Sequence, residues 1–301
     1  MIGREFSVQV AVARFLKDVP IGCWEKRRER YEKAVLHYLD CQYGKTMSEA
    51  SATAIINEQS EIAGTTVWVM WIQGIENMPP IVKACYRQLV KVVPSDVKIQ
   101  LLTEDNIEDF VQISDTLRRK YKEGIISATH MSDIIRSKLL AKYGGCWADA
   151  TIWFEQWPDY IFDYPFYTLH APGLFPEFIS RGRWSTFLLT VTDLNLPFFH
   201  ILESLYERYW DEHSCLIDYL LFDYFFELIT VRCTLFDSLI NQLPENRGFY
   251  SLISRLNVEY DSTRYRDIME SSAVQKLTYK GTLKQFNRAG KITNYGHLIG
   301  N

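Results

Sequence analysis

The stretch SDIIRSKLLAKYGGCWADATIW, residues 132–153, decides the fold of this chain of 301 residues. Its first half has apolar residues at the spacing of one helix face, namely Ile134, Ile135, Leu139 and Leu140. Thr129 or Ser132 can cap the start of this helix, and Gly144 and Gly145 follow where a helix should end. The first half therefore predicts a capped helix that runs into a glycine turn.

The second half, residues 146–154, is rich in Trp, Ile, Thr and Phe and is typical of a strand. It contains one acid, Asp149, among apolar residues. On the preceding helix Asp133 and Arg136 are three positions apart and share a face, which favours a site where the three charged groups meet. The alternative is an ordinary salt bridge on a solvated helix face plus an acid in a turn, because such pairs are common and weak. The residues alone leave both interpretations open.

Strands and helices alternate before this stretch. Residues 65–72 predict a buried strand, 81–92 a helix and 97–102 a second strand followed by a helix. The cap of that last helix is one of two residues, Thr103 or Asp105. Such alternation predicts a parallel sheet that binds its ligand at the carboxyl ends of the strands. The first of these ends carries Trp71, Ile72 and Gln73.

The region after the stretch predicts a strand over 184–191 and helices over 198–210 and 216–230. Two acids, Asp218 and Asp223, stand within the second, strongly apolar helix. A carboxylate is costly there unless it is paired or faces a wet cleft, so both acids are candidates for chemistry. The alternative is a buried structural acid bonded to backbone amides.

Composition and charge exclude several classes of protein. With 47% hydrophobic residues the chain can bury a large core, which is compatible with one elaborated α/β domain or with two domains, and we expect one. A net charge of −4 argues against a general nucleic-acid binder. The six cysteines show no C-x-x-C spacing and the six histidines no H-x-x-x-H pair, which favours a reduced cytoplasmic protein without structural zinc.

Basic residues near both ends of the chain are candidates for contact with anionic lipids or phosphates. No signal peptide opens the sequence and no apolar stretch approaches the roughly 20 residues that span a bilayer, so we expect any membrane contact to be peripheral. A basic cluster over 26–30, beside Trp24, fits either anionic lipid or a solvated helix face. Residues 274–301 contain no acid and suit a diphosphate or an anionic surface. Their basic residues are Lys276, Lys280, Lys284, Arg288 and Lys291.

Several motifs in order resemble one enzyme family. SDIIR, then LL, then YGGCWADAT resembles the donor-binding core of bacterial capsular polysaccharide synthesis glycosyltransferases. These are similar to the glycosyltransferases that share a D-x-D sugar-binding region with yeast mannosyltransferases and clostridial glucosylating toxins. WVMWIQG at 68–74 resembles the first strand of the group, 184–224 its second half, and KLTYK at 276–280 its C-terminal strand. The resemblance covers about residues 65–285.

The resemblance implies a glycosyltransferase A fold, with a Rossmann-like, mainly parallel sheet and added N-terminal and acceptor-side helices. Apolar periodicity predicts helices over 1–60, which form an N-terminal helical cap. The rest of the chain, 61–301, is then a single catalytic domain with acceptor-side helices at about 195–245 and the basic tail at about 274–301. Residues 160–176, rich in aromatics and Pro, are then a loop over the acceptor groove.

The activity implied is retaining, metal-dependent transfer of a hexose, galactose or glucose, from a UDP-sugar to a lipid-linked oligosaccharide in capsule synthesis. The expected location is the cytoplasm, peripherally on the inner face of the cell membrane. Two alternatives stay open: glycosylation of a protein, as by the related toxins, and a sugar-nucleotide-binding scaffold without catalysis.

Residues and resemblance together give three candidate catalytic acids, Asp149, Asp223 and Asp218. Asp223 is preferred to Asp218 because the pair Asp223-Tyr224 resembles the acceptor-side motif of the family. The candidates for donor binding are Val69, Met70, Trp71, Gln73, Asp133, Arg136, Ala150, Lys276 and Lys280. In the family the first strand end holds the nucleotide base, so Trp71 is expected to stack on uracil unless it is a core residue. The predicted metal is Mn²⁺ or Mg²⁺, held by Asp149 and Thr151. Thr151 stands where the wider D-x-D pattern has a second acid, which weakens that site.

Overall fold

The structure, a computed structural model, describes residues 5–19, 22–56 and 65–300, with backbone alone for 49–56. Its helices are α1 Val8–Asp18, α2 Trp24–Ile56, α3 Pro80–Val92, α4 Ile107–Phe110, α5 Asp115–Lys122, α6 Ala128–Tyr143, α7 Phe198–Glu212, α8 Leu221–Arg232, α9 Thr234–Asn241, α10 Ser262–Ser271 and α11 Asn294–Gly300. The strands are β1 Val67–Met70, β2 Ile99–Leu102, β3 Gly145–Ala148, β4 Ile152–Phe154, β5 Phe166–Thr168, β6 Leu188–Val191 and β7 Val274–Lys276.

Five strands form the central sheet in the order β2-β1-β3-β6-β5. β1 lies parallel to β2 and β3, whereas β6 is antiparallel to both of its neighbours, β3 and β5. Four strands therefore point in one direction and only β6 is reversed. β4 and β7 form a separate antiparallel pair. The predicted α/β fold with a mostly parallel sheet is confirmed at this level.

The single strand predicted over 146–154 is wrong. The chain turns at Asp149, where the amide of Ile152 donates to the Asp149 carbonyl at 3.0 Å and the amide of Asp149 donates to the Phe187 carbonyl at 2.9 Å. β3 therefore belongs to the central sheet and β4 pairs with β7 instead. The turn places Asp149 at the carboxyl end of β3, which is where a parallel sheet binds ligands.

Helix α6 exists as predicted but begins earlier. Its cap is Ser127, whose hydroxyl accepts from the amide of His130 at 3.3 Å, so the predicted caps Thr129 and Ser132 lie inside the helix. The predicted stop is confirmed, because Gly144 has a φ of 59° and Gly145 a φ of 83°, a region that favours glycine.

Helix α8 begins five residues later than predicted, at Leu221. The carboxylate of Asp218 accepts from the amide of Leu220 at 2.8 Å, and the Tyr209 hydroxyl accepts from the amide of Ile217 at 2.8 Å. Such local bonds compete with helical ones. Asp218 therefore lies in a loop, and Asp223 lies in the first turn of the helix.

Three further predictions need correction. Residues 160–176 are not only a loop, because β5 lies within them. The strand predicted over 184–191 is regular only in β6, because before it the Thr168 hydroxyl donates to the Ser185 carbonyl at 2.9 Å and accepts from its amide at 2.9 Å. The cap of helix α4 is Asn106 and not, as predicted, Thr103 or Asp105. The Asn106 side chain makes no capping bond to the helix and accepts from the amide of Thr103 at 2.9 Å.

The N-terminal helices share the main apolar core with the rest of the chain. Helix α2 packs against α7 and α8, and its buried Tyr31 and Tyr43 belong to the same cluster as Leu140 and Trp147 of the sheet region. The hydroxyl of Tyr31 donates to the Ile217 carbonyl at 3.0 Å. The boundary predicted near residue 60 lies outside the described residues. Among residues 5–19, 22–56 and 65–300, no helix has both the length and the apolar character needed to cross a bilayer.

Candidate functional site

A cleft of about 470 Å³ opens at the carboxyl ends of β1 and β3. Its walls are the segment after β1, the first half of α6, the turn that follows β3 and the start of α8. The volume lies within the usual range of small-ligand sites, about 300–1,000 Å³. The cleft therefore occupies the position that the strand order predicts for a ligand.

Asp149 is bonded on both carboxylate oxygens. Oδ2 accepts from Lys276 Nζ at 2.6 Å, and Oδ1 accepts from Trp147 Nε1 at 2.9 Å with Arg136 Nη1 at 3.8 Å. The Lys276 ammonium also donates to the Thr151 hydroxyl at 2.8 Å. Burial by itself would raise the pKa of Asp149, but the charges of Lys276 and Arg136 and these bonds outweigh burial and hold the pKa below its ordinary value. Asp149 is therefore a carboxylate with two cationic neighbours.

Asp133 and Arg136 form the predicted ion pair, but not on a solvated helix face. Their side chains are only 13% and 4% exposed, and both residues line the cleft. The Arg136 guanidinium also donates to the Thr186 carbonyl and packs 4.4 Å from the ring centroid of Phe222. The solvated-face alternative is wrong, and the convergence of these residues with Asp149 is observed.

Asp223 faces the same cleft from the first turn of α8. Its Oδ1 accepts from Trp184 Nε1 at 2.9 Å. Burial is the main reason that the pKa of Asp223 rises to about 7, and the nearby acids Asp133 and Asp218 raise it further, while the Trp184 bond and Arg136 oppose the rise. A carboxyl of this kind changes its charge near neutral pH, which suits proton transfer.

The predicted base-binding end of the cleft has an aromatic corner, formed by Trp71 and Tyr279. Met70, Trp71 and Gln73 line the cleft, and the Trp71 ring meets the ring of Tyr279 edge-on with centroids 5.5 Å apart. Val69 is 2% exposed and packs in the core, away from the cleft. The Trp71 side chain therefore forms part of the cleft wall, and Trp71 is not a core residue.

Three other predicted residues, Asp218, Lys280 and Lys276, are not part of the cleft wall, although Lys276 bonds Asp149 and Thr151, which are part of it. Asp218 is 3.9 Å from Lys17 of α1 and bonds the backbone of its own loop, so it does not join Asp149 and Asp223. Lys280 is exposed and does not line the cleft. Ala150 and Thr151, by contrast, both line it.

The side chains around Asp149 do not fit a divalent cation. Mg²⁺ and Mn²⁺ prefer a set of oxygen ligands, commonly one or two carboxylates with phosphates. Here the one carboxylate and the Thr151 hydroxyl are both bonded to the Lys276 ammonium. Within the described part of the chain, no group of three or more His, Cys, Asp and Glu side chains is arranged to hold a metal ion. The cofactor remains only a prediction.

Sequence reasoning missed several residues that line the cleft or bond its acids, among them Trp147, Trp184, Thr186 and Tyr279. Trp147 and Trp184 each donate an indole N–H to one of the two central acids, and Thr186 and Tyr279 line the cleft. The alternation of a strand gives a signal for Trp147, which is two positions from Asp149 and so shares its side of the chain. The other three come from distant segments, and the sequence has no local signal for their contacts.

Comparison of the sequence with known proteins assigns the chain to a family. A model of the family described as capsular polysaccharide synthesis protein matches residues 19–297. The O-glycosyltransferase PaGT of Phomopsis amygdali is 31% identical over 91 residues, which are 28% of this chain and 22% of that protein. The chain thus spans about a fifth of the length of this relative. Because the family match extends over most of the sequence, the chain belongs to the capsular polysaccharide synthesis protein family.

Proposed function

We propose that this protein is a retaining glycosyltransferase of the glycosyltransferase A fold. It transfers a hexose, galactose or glucose, from a UDP-sugar to a lipid-linked oligosaccharide in capsule synthesis. The observation that carries the proposal is the cleft, where Asp149, the Asp133–Arg136 pair and Asp223 meet beside an aromatic corner. The family match and the name of the fungal relative support the same class of reaction.

The donor occupies the cleft along its length. Uracil lies against Trp71 and Tyr279, whose edge-on rings give an apolar surface for a base. The Asp133 carboxylate accepts hydrogen bonds from the ribose hydroxyls. The diphosphate lies near Arg136 and Lys276, since negative charge grows there as the leaving group departs and cationic donors stabilise it.

The acceptor enters from the α8 side. The bond between the anomeric carbon and the outer phosphate oxygen breaks, and the bond to the acceptor oxygen forms on the face that the diphosphate leaves, so the anomeric configuration is retained. The proton of the acceptor hydroxyl passes to Asp223, whose pKa of about 7 suits a general base near neutral pH. The products are the extended saccharide and UDP.

A surface on the N-terminal helices suits a peripheral membrane location for a lipid-linked acceptor. Helix α1 exposes Val8, Phe15 and Leu16, and Trp24 is exposed at the start of α2. The basic run over 26–30 begins two residues after Trp24. Apolar side chains beside basic ones are the combination that binds anionic lipid surfaces.

Release of UDP from a panel of sugar nucleotides tests the proposal. We expect the protein to consume UDP-galactose or UDP-glucose, and to do so faster with an extract of lipid-linked saccharides than without. Uptake of labelled sugar into protein instead would favour protein glycosylation. Tight binding of UDP without turnover of any donor would favour the scaffold and overturn the transferase proposal.

A further inference from the structure

Lys276 holds the two side chains that the sequence assigns to a metal ion. Its Nζ lies 2.6 Å from Asp149 Oδ2 and 2.8 Å from Thr151 Oγ1. An ammonium group has three N–H donors and no acceptor, so these bonds use two of the three. The Lys276 side chain keeps 17% of its surface exposed. The third N–H makes no hydrogen bond to the described residues, and the ammonium also lies 4.9 Å from the ring centroid of Phe187.

Strand pairing puts the lysine in this position. Lys276 stands opposite Ile152 in the β4–β7 ladder, and the amide of Leu277 donates to the Thr151 carbonyl at 2.9 Å. The residue before it, Gln275, points to the other face and is fully buried. The backbone thus fixes Lys276 beside the Asp149 turn, and alternation along the strand directs its side chain toward the turn.

The local charges oppose an added cation. Asp149 already has Lys276 on one oxygen and Arg136 3.8 Å from the other. A divalent ion at Asp149 and Thr151 would have to displace the ammonium and would then face two like charges. Displacement would also leave a largely buried ammonium without its carboxylate, which is costly.

We propose that Lys276 supplies the positive charge that the predicted metal would supply. Its ammonium, positioned by Asp149 and Thr151, binds the diphosphate of the donor, and donor binding needs no divalent cation. This inference rests on the proposed function, because it requires a nucleoside-diphosphate donor. Lys276 is then a donor-binding residue, and Asp149 and Thr151 are positioning residues.

Calorimetric titration of the full chain with UDP and with uridine tests the inference, in buffer with EDTA and in buffer with MgCl₂ or MnCl₂. For the unmodified protein we expect the Kd for UDP to agree between the buffers within about twofold. Lys276→Met should raise the Kd for UDP in EDTA buffer by about 10- to 100-fold and leave the Kd for uridine unchanged, since it removes a charged hydrogen bond to phosphate only.

Two further variants separate charge from folding. Lys284→Met changes an exposed lysine of the same C-terminal segment and should leave the Kd values for UDP and uridine unchanged. Lys276→Arg keeps the charge, and its Kd for UDP should stay within about tenfold of that of the unmodified protein. Equal losses of UDP and uridine in Lys276→Met would overturn the phosphate role.

The remaining outcomes distinguish this inference from the function on which it rests. If EDTA abolishes UDP binding and Mn²⁺ or Mg²⁺ restores it, the site binds a metal and the inference alone is overturned. If UDP binds in neither buffer, the proposed donor class is overturned as well.

Discussion

Two of the carboxylates that face the cleft, Asp149 and Asp223, have surroundings that shift their pKa values in opposite directions. Asp149 lies between Lys276 and Arg136, which hold its pKa below the ordinary value in spite of burial. Among the described residues Asp223 has one direct partner, the indole N–H of Trp184, and burial raises the pKa of Asp223 to about 7. Two acids with separated pKa values can take different roles. We assign the permanent charge of Asp149 to positioning and the titrating carboxyl of Asp223 to proton transfer.

Asp223→Asn should have the largest effect on turnover, lowering kcat by about 100-fold or more, because it removes the proposed general base. In the unmodified protein kcat/KM should rise with pH to a plateau, with a midpoint near the pKa of about 7, because the charged form is the base. The variant should lack that rise. A pH profile with the same midpoint in both proteins would assign the titration to another group.

The same variant should change the pH dependence of stability. The folded-state pKa of Asp223 lies above the unfolded value of 3.8, so between about 4 and 7 the folded state holds the extra proton. The free energy of unfolding contributed by this group therefore falls as pH rises through that window and is constant above it. Denaturant titrations of both proteins at pH 5 and pH 8 measure the difference. Asp223→Asn should show the smaller loss of stability between the two pH values.

Asp149→Asn should lower kcat/KM by about 100-fold, because Lys276 and Arg136 lose the carboxylate that positions them. Unlike the loss in Asp223→Asn, this loss should be the same at pH 6 and pH 8, because Asp149 is already ionised throughout. Asp105→Asn, at an exposed acid outside the cleft, is the matched control. A loss of less than tenfold would end the assignment of Asp149 as the centre of the site.

Asp133→Ala should raise KM for the donor by about tenfold while kcat changes less, since hydrogen bonds to a charged group contribute about 1.5–3 kcal/mol to binding. Asp105→Ala provides the comparison at an exposed position. Steady-state kinetics at varied donor concentration measure both constants. An unchanged KM would show that Asp133 only orients Arg136.

Ala150→Thr should have the smallest effect, a change of a few-fold in the ratio of kcat/KM for UDP-glucose and UDP-galactose. Ala150 lines the cleft between Asp149 and Thr151, and it also packs against the core. The two sugars differ in the direction of one hydroxyl, so an added side chain in the wall should affect one epimer more. Equal loss with both donors would make Ala150 a packing residue.

Local sequence patterns predicted the parts of the site that lie close together in the chain. Asp133 and Arg136 share a helix face because they are three residues apart, and the two glycines ended α6 as expected. The same kind of reasoning failed at Asp149 and Asp218. A hydrogen-bonded turn breaks the predicted strand at the first, and a side-chain bond delays the helix at the second.

The sequence by itself determined the alternation of strands and helices, and with it the edge of the sheet where a ligand binds, because periodicity and turn residues act over a few positions. Only the tertiary structure decided how the acids are charged. The partners of Asp149 and Asp223 include Lys276 and Trp184, which are 127 and 39 positions away. A pKa depends on burial and on neighbouring charges in space, and both exist only after the distant segments have packed together.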